Sequence, residues 1–447
     1  MKYKKFICSI LGIINSLIVW AQPSMEEIFS MSSKQYEVLV ENIRTNYGED
    51  SLGNFYNEFI EYRNYHRAKM RLESYQLSTG LDTLSTLNLS HCGLTEIPDF
   101  VFKCFNITSL DLSRNEIKDL PEELNDLPNL RKIRLDRNEE SINKMKVARL
   151  STIEEITLKS NSLRSIPRRL KRLKNLEFLD VSYNDMSRIP GRVKKFKELD
   201  ALDISGNEEL KSNLKISRKL PNLEALYASG MQWQTIPDDV YQLTNLKKLI
   251  VRENQLKSIS PDISKLSQLT ELSFYKNELE SVPTALFELD ELKELDLFHN
   301  KLHEIPAEIS NLKEMESLFL AFNQIDYLPE SIGEMNLKQI FIHHNSLSSL
   351  PNSFSHLDSL NTIRFNYNQL TDFPPSLLNL KHLTFIDMSN NDIEKIPLEL
   401  KSMNELEILS IDKSGNSIDY KIHAEQNEEV LSVLYGKGVN INYGDPE

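Results

Sequence analysis

The sequence predicts an α/β solenoid, in which short coils stack so that one parallel β-sheet lines the concave side. Leu occupies 66 of the 447 positions, far above its usual share. An apolar pattern returns every 23 residues from Leu84 onward, with one step of 24 and one of 22. Each repeat alternates apolar residues over a few positions and then turns, as a short strand would. One supersecondary unit is therefore used many times.

Residues 1–21 are typical of an export signal. Lys2, Lys4 and Lys5 precede an apolar run over residues 6–20, and Ala21 offers a small-residue cleavage site. A retained signal anchor is the alternative, but the run is short and interrupted by polar residues. No later segment stays apolar for about 18 residues, so no transmembrane segment is expected in the mature chain. The protein is expected to be secreted, periplasmic or on the cell surface.

Residues 22–83 lack the repeat and show helical spacing instead. Apolar residues at Leu39, Val40 and Ile43 lie on one helical face, and so do Phe55 and Phe59. An open solenoid end exposes core and sheet edge, so a terminal cap is physically required. We interpret this segment as a helical N-terminal cap.

The array spans residues 84–414 and holds about fifteen repeats. In the repeat that begins at Leu292, Leu295 and Leu297 alternate as a strand, Asn300 turns the chain, and Pro306 ends the extended pairing. No single coil can bury its leucines, but stacked coils share one core. The first positions of the repeats are Leu84, Ile107, Leu130, Ile153, Leu176, Leu199, Leu223, Leu246, Leu269, Leu292, Met315, Leu337, Leu360, Leu383 and Leu406.

The ninth position of the repeat holds Asn in twelve cases. An amide can donate to and accept from a turning backbone that would otherwise leave buried polar groups unpaired. We therefore predict a structural role for Asn115, Asn138, Asn161, Asn184, Asn207, Asn254, Asn277, Asn300, Asn323, Asn345, Asn368 and Asn391.

The leucine spacing, the ninth-position Asn and the Leu-Pro or Ile-Pro step together resemble the leucine-rich repeat superfamily. The likeness is to its 23-residue class, which includes Ras-suppressor-like, disease-resistance-like and bacterial proteins. It covers about three quarters of the chain. The resemblance implies a leucine-rich repeat horseshoe with a concave parallel β-sheet that binds other macromolecules. It says little about which macromolecule.

Residues 415–447 follow the array as a short α/β C-terminal cap. Helical spacing is expected from Ala424 to Tyr435, with Val430 and Leu434 inward, followed by a strand from Val439. Neither flank is long enough for a separate catalytic domain. The chain also shows no nucleophile elbow, no phosphate-binding loop and no zincin motif. We therefore predict a protein that is not an enzyme, with no catalytic residues, cofactor or metal site.

The sheet register shows which side chains point away from the core, namely those at positions 3, 5, 7 and 8 of each repeat. Over the eight repeats from Leu223, these positions hold eight aromatic residues, whereas an aromatic share of 8% would place about three there. Recognition of a protein or peptide is the interpretation, and a ladder of rings that only stabilises the sheet is the alternative. The candidate partner-binding residues are Tyr227, Ile250, Arg252, Tyr275, Phe298, His299, Phe319, Phe322, Phe341, His343, His344, Arg364, Tyr367 and Phe385.

Position 5 also repeats a carboxylate, which we interpret as solvated surface. It is found at Asp111, Asp180, Asp203, Asp296 and Asp387.

Charge is segregated along the chain. The formal net charge is −14, which argues against nucleic acid as a partner. Basic residues nevertheless concentrate at return-side positions of two successive repeats, where they predict one convex patch. A solvated face and attraction to the acidic remainder of the chain are the alternatives. The candidate basic patch consists of Arg164, Arg168, Arg169, Lys171, Arg172, Arg192, Lys194 and Lys195.

Taken together, the residues predict an exported recognition protein that binds a protein or peptide on the concave face of its C-terminal half. The alternative is a cell-envelope or adhesion protein that binds an anionic glycan through the convex basic patch.

Overall fold

The computed structural model describes residues 33–78, 80–138, 142, 144–210, 214–411 and 424–443. The predicted export signal over residues 1–21 lies outside them. The chain forms two compact units. One comprises Met1–Leu81 with Leu89–Gly93, and the other comprises Asp82–Asn88 with Leu94–Glu447.

The first unit is built on helix α1, Ser33–Leu77. The predicted helical character of this region is confirmed for these residues. The side chain of Arg71 donates to the carbonyl of Ser90 at 2.7 Å, and the Cys92 thiol donates to the carbonyl of Ala68 at 3.4 Å. Ala68 is buried. These contacts hold residues 89–93 against α1.

The second unit carries one parallel sheet of sixteen described strands, and the predicted solenoid is confirmed. The strands follow one another in chain order, with one short strand from nearly every repeat. They are β1 Thr86–Asn88, β2 Ser109–Asp111, β4 Lys132–Arg134, β6 Glu155–Thr157, β7 Phe178–Asp180, β8 Ala201–Asp203, β9 Ala225–Tyr227, β10 Lys248–Ile250, β11 Glu271–Ser273, β12 Glu294–Asp296, β13 Ser317–Phe319, β14 Gln339–Phe341, β15 Thr362–Arg364, β16 Phe385–Asp387, β17 Ile408–Ile411 and β18 Asn440–Tyr443. A separate pair joins β3 Asp119–Leu120 to β5 Lys146–Val147.

Equal positions of neighbouring repeats lie side by side in this sheet. Leu272, for example, is in register with Leu249 on one side and Leu295 on the other. The register also continues from β8 to β9, although their repeat has 24 residues. The additional residue is therefore absorbed outside the sheet, and a residue's position in the repeat tells which neighbours it meets.

The return segments are 3-10 helices of three to five residues, where the sequence predicted a short helix or helical turn. Most begin directly after a proline, whose fixed φ ends the extended chain and suits the start of a tight helix. After η1, Leu81–Thr83, they are Asp99–Lys103, Glu122–Asp126, Arg168–Arg172, Gly191–Lys195, Val240–Gln242, Pro261–Lys265, Thr284–Glu288, Ala307–Asn311, Glu330–Glu334, Asn352–His356, Pro375–Asn379 and Leu398–Ser402. We call this side of the second unit the return face and the opposite side the sheet face.

The core lies between the sheet and the return segments. In the repeat from Leu292, the residues Leu292, Leu295, Leu297 and Leu302 are fully buried. The ninth-position asparagines connect successive coils, as predicted. Asn254, for example, donates to the carbonyls of Ala228 and Val251, and its side-chain oxygen accepts from the amide of Met231.

The described C-terminal segment matches its prediction closely. Helix α2, Ala424–Gly436, buries Val430 and Leu434, and β18 adds in parallel to β17. None of the described helices combines the length and the apolarity that crossing a bilayer requires.

Candidate functional site

The eighth position of the repeat has an unusual backbone conformation. It follows the strand, and its φ is positive in every repeat from the first to the fourteenth, between +52° and +57° at the four ring residues discussed next. Gly206 and Gly230 occupy this position in two repeats, where the left-handed conformation costs least. For a residue with a side chain the same conformation costs about 1–2 kcal/mol. A bulky residue here is therefore retained against a backbone cost.

Four consecutive repeats place a ring at this position. His299 stacks on Phe322 with centroids 4.3 Å apart, Phe322 on His344 at 3.9 Å, and His344 on Tyr367 at 4.0 Å. Their planes deviate from parallel by 11° to 28°. We call these four residues the ring ladder. Their shared register brings them together.

A second row of rings lies beside the ring ladder, at position 7. Phe298 stacks on Tyr275 at 5.6 Å and contacts Phe322 of the ladder at 5.0 Å. Phe298 also lies 5.6 Å from His343, although these residues are two coils apart and about 9–10 Å would separate their strands. The two rings lean together over Ala321, which is fully buried beneath them. A small residue between two large ones therefore closes the row.

Phe319 and Phe341 form a third group at position 5. Their strands pair in register, and the rings stack at 5.0 Å with an interplanar angle of 11°. Both side chains are partly exposed on the sheet face. We call the ring ladder, Tyr275, Phe298, His343 and this pair together the ring cluster.

Two predicted surface residues are buried, and the sequence interpretation of them is wrong. Ile250 is 5% exposed, because it is the shorter side chain beside Tyr227 and Arg252 on the same face. His343 is 7% exposed because rings surround it. The other predicted ring residues are accessible, but Tyr227 and Phe385 stand apart from the ring cluster. Tyr227 meets Phe178 and the ammonium of Lys248 instead.

The two predicted arginines flank the ring cluster and already have carboxylate partners. Arg252 lies 3.4 Å from Asp296 and donates to Ser273, whose hydroxyl donates to the same carboxylate. Arg364 lies 3.1 Å from Asp387. Their side chains remain 41% and 38% exposed, so each can still reach a bound molecule.

The interpretation of the position-5 aspartates as solvated surface is wrong for Asp296 and Asp387, which are buried. Each accepts a hydrogen bond from the backbone amide two residues later, as Asp180 does from Ser182 at 2.7 Å and Asp203 does from Ser205 at 2.8 Å. Burial raises the pKa of Asp180, and the neighbouring Asp203 raises it further. These carboxylates shape the turn after the strand. The recurrence of Asp at one position was the signal for this role.

Burial also controls the ionisation of two ring-cluster histidines. It lowers the pKa of His343 to about 3, and the nearby Arg364 charge adds to the effect. Burial likewise lowers the pKa of His299, with a contribution from Lys276. Both imidazoles are therefore neutral near pH 7. The Nδ1 atom of His343 and the side-chain oxygen of Asn366, its neighbour in the next coil, are buried without a hydrogen-bond partner among the described residues.

The predicted basic residues lie on the return face, and Arg164, Arg168, Arg169, Lys171, Arg172, Lys194 and Lys195 are exposed. Arg192 is partly buried. Its guanidinium donates to the carbonyl of Ile166 at 3.0 Å, and Arg172 donates to that of Val147 at 2.7 Å. These two residues therefore also connect adjacent coils. Throughout the described ranges, no group of His, Cys, Asp and Glu has the arrangement of a metal site.

Family profiles match three parts of the sequence. A leucine-rich repeat region matches residues 192–326, and two leucine-rich repeat profiles match residues 82–139 and 382–403. No curated protein matches the sequence significantly.

Solved structures share the fold. A leucine-rich repeat protein of Leptospira interrogans has 24% identity and a TM-score of 0.61, with 83% of this chain and 98% of that chain covered. An internalin of Listeria monocytogenes has 17% identity and a TM-score of 0.51, covering 72% and 94%. Drosophila Toll in complex with Spatzle has 20% identity and a TM-score of 0.53, covering 76% and 48%. At these identities the likeness concerns the fold.

Proposed function

Because this chain belongs to the leucine-rich repeat superfamily, whose members generally act as scaffolds for protein interaction, we propose that it is an exported, non-catalytic protein that binds a protein or peptide through the ring cluster. The carrying observation is the ring ladder. Four rings occupy consecutive left-handed positions where Gly would cost less. Stacking offsets part of that cost, and binding gives a reason for the rest.

The orientation of the rings indicates what they bind. Rings that stack within 4.3 Å cover each other's faces, so Phe322 and His344 present only their edges to the groove. Ring edges carry partial positive charge and attract carbonyl oxygens, carboxylates, the faces of other aromatic rings and Met sulfur. A peptide supplies all of these groups.

Sugar rings and nucleobases are a poorer match to this surface. Bases bind single-strand proteins by lying on exposed aromatic faces, and those faces are occupied here by neighbouring rings. The stacked pair of Phe319 and Phe341 is closed in the same way. The flanking Arg252 and Arg364 are neutralised in part by Asp296 and Asp387. The surface therefore favours a partner with apolar and aromatic side chains over a highly charged one.

The test begins with a displayed library of random peptides selected on the full chain. The affinity of each enriched peptide is then measured on Phe322→Gly combined with Phe341→Ala. Gly suits the left-handed backbone of position 8, so the change removes a ring without new backbone strain. We expect the Kd to rise about tenfold to a hundredfold, as for loss of two hot-spot rings.

Tyr183→Gly is the matched control, because Tyr183 is an exposed ring at position 8 in a repeat outside the ring cluster. It should change the Kd less than about twofold. Circular dichroism checks that each variant folds. If no peptide is enriched, or if the double variant binds as tightly as the wild type, the proposal is wrong.

Export is the second part of the proposal, and it rests on the basic and apolar pattern of residues 1–21. Expression with the native N-terminus in a secreting host should yield a mature chain that begins at Gln22. Edman sequencing of the recovered protein reads this directly. A product that retains Met1 in the cell would refute export and leave the binding proposal intact.

A further inference from the structure

The return face aligns like charges on two neighbouring coils. The 3-10 helices Arg168–Arg172 and Gly191–Lys195 pack against each other, and residues 23 apart occupy equal positions. Four basic pairs result. Arg169 corresponds to Arg192, Lys171 to Lys194, Arg172 to Lys195, and Lys174 to Lys197. We call these eight residues the basic surface.

Elsewhere the array places opposite charges at this spacing. Lys247 pairs with Glu224 at 2.8 Å, and Lys301 pairs with Glu278 at 3.0 Å. Such cross-strand pairs stabilise, whereas like charges directly opposite each other destabilise. No residue of the basic surface forms an ion pair with any residue that the structure describes. The free protein therefore keeps a repulsive arrangement that the rest of the array avoids.

The positive field of this region reaches a neighbouring group. The pKa of Lys219 is lowered, first by burial and then by the charges of Lys215, Lys194 and Arg188, while Asp239 acts in the opposite direction. Arg172 and Arg192 are anchored by their bonds to backbone carbonyls of the preceding coil. The basic surface is thus both concentrated and partly preorganised, which raises its local attraction for anions.

We propose that the basic surface binds a linear anionic polysaccharide that carries sulfate or carboxylate groups. Its cations recur from coil to coil at about 4.8 Å, and guanidinium groups hold such oxyanions in bidentate fashion. A bilayer or a protein partner would require exposed apolar side chains. Among the described residues 144–210, the only large exposed apolar side chain is that of Tyr183, which lies at position 8 beside the sheet. The return face has no rings on which nucleobases could stack.

Binding of fluorescein-labelled heparin to the full chain tests the proposal, with neutral dextran as the negative probe. We expect binding in 50 mM NaCl that weakens at least tenfold in 300 mM NaCl, about what screening of several charge contacts produces. Replacement of Arg169, Lys171, Lys194 and Lys195 by Gln should weaken binding at least tenfold. The matched control replaces four exposed lysines that lie elsewhere and form no ion pair with a described residue, namely Lys118, Lys257, Lys381 and Lys395.

A thermal melt adds a readout that does not depend on the label. Without heparin, the variant of the basic surface should melt above the wild type, because repulsion has been removed. Heparin should then raise the Tm of the wild type and leave that of the variant unchanged. Equal losses of binding in the variant and the matched control would overturn the proposal. So would tighter binding of phosphatidylserine vesicles or polyuridylate than of heparin.

Discussion

Asn184 illustrates how much a single amide supports in this fold. Its nitrogen donates to the carbonyls of Leu158 and Val181, and its oxygen accepts from the amides of Asn161 and Leu163. The residue is 5% exposed. In Asn184→Ala, the two amides and the Leu158 carbonyl lose the partner they have in this turn.

The expected cost follows from that count. A buried polar group left unpaired costs about 1–3 kcal/mol, and some water entry will reduce the total, so we expect Asn184→Ala to lower the free energy of unfolding by about 3–6 kcal/mol. Asn175→Ala is the control. Asn175 also donates to a carbonyl in the preceding coil, that of Ser151 at 2.7 Å, but it is exposed. Its replacement should cost less than about 1 kcal/mol.

Two measurements check this prediction. Denaturant unfolding gives the global change, and hydrogen exchange reports the amides of Asn161 and Leu163 individually, which matters because repeat arrays can unfold in parts. We expect both amides to lose protection in Asn184→Ala. A cost below about 1 kcal/mol, or equal costs for Asn184→Ala and Asn175→Ala, would refute the reasoning.

Three further predictions concern packing and ionisation. Gly333→Ala should destabilise the protein by about 2–4 kcal/mol, because the new Cβ would lie 2.2 Å from the Ser353 carbonyl oxygen, while Gly191→Ala, with nothing within 4 Å, should be neutral in the same denaturant titration. The folded pKa of His343 lies below the ordinary value of 6.5, so the unfolded chain binds more protons between pH 6.5 and about 3, and stability from this residue is lost as pH falls through that range. His343→Gln should therefore flatten the measured dependence of stability on pH, and an unchanged slope would contradict this. Burial raises the pKa of Tyr241 to about 12, so an ultraviolet titration should show one late phenolate that Tyr241→Phe removes.

Much of this fold could be predicted because its signals are local and periodic. A constant stride of 23 residues places Leu295 and Leu297 inward and Asn300 in the turn, and neighbouring coils then follow by stacking. The same stride placed Phe319 beside Phe341. Position in the repeat is thus equivalent to position in space, which few folds permit.

Prediction failed where a side chain's exposure depends on its neighbours. Ile250 and Phe319 both occupy position 5, yet Ile250 is buried and Phe319 is partly exposed. The difference lies in the side chains alongside, which the stride does not describe. Asp296 appeared to be surface and instead closes a turn and pairs with Arg252.

The sequence by itself determined the coil, the sheet register, the turn asparagines and the direction in which each position points, because these follow from a repeating apolar pattern that only one stacking can bury. Tertiary structure alone decided how the rings meet. Phe298 and His343 lean together over Ala321, and the ring ladder covers its own faces and leaves its edges free. Ring orientation depends on contacts between coils, where packing density selects one arrangement among several that the same register allows.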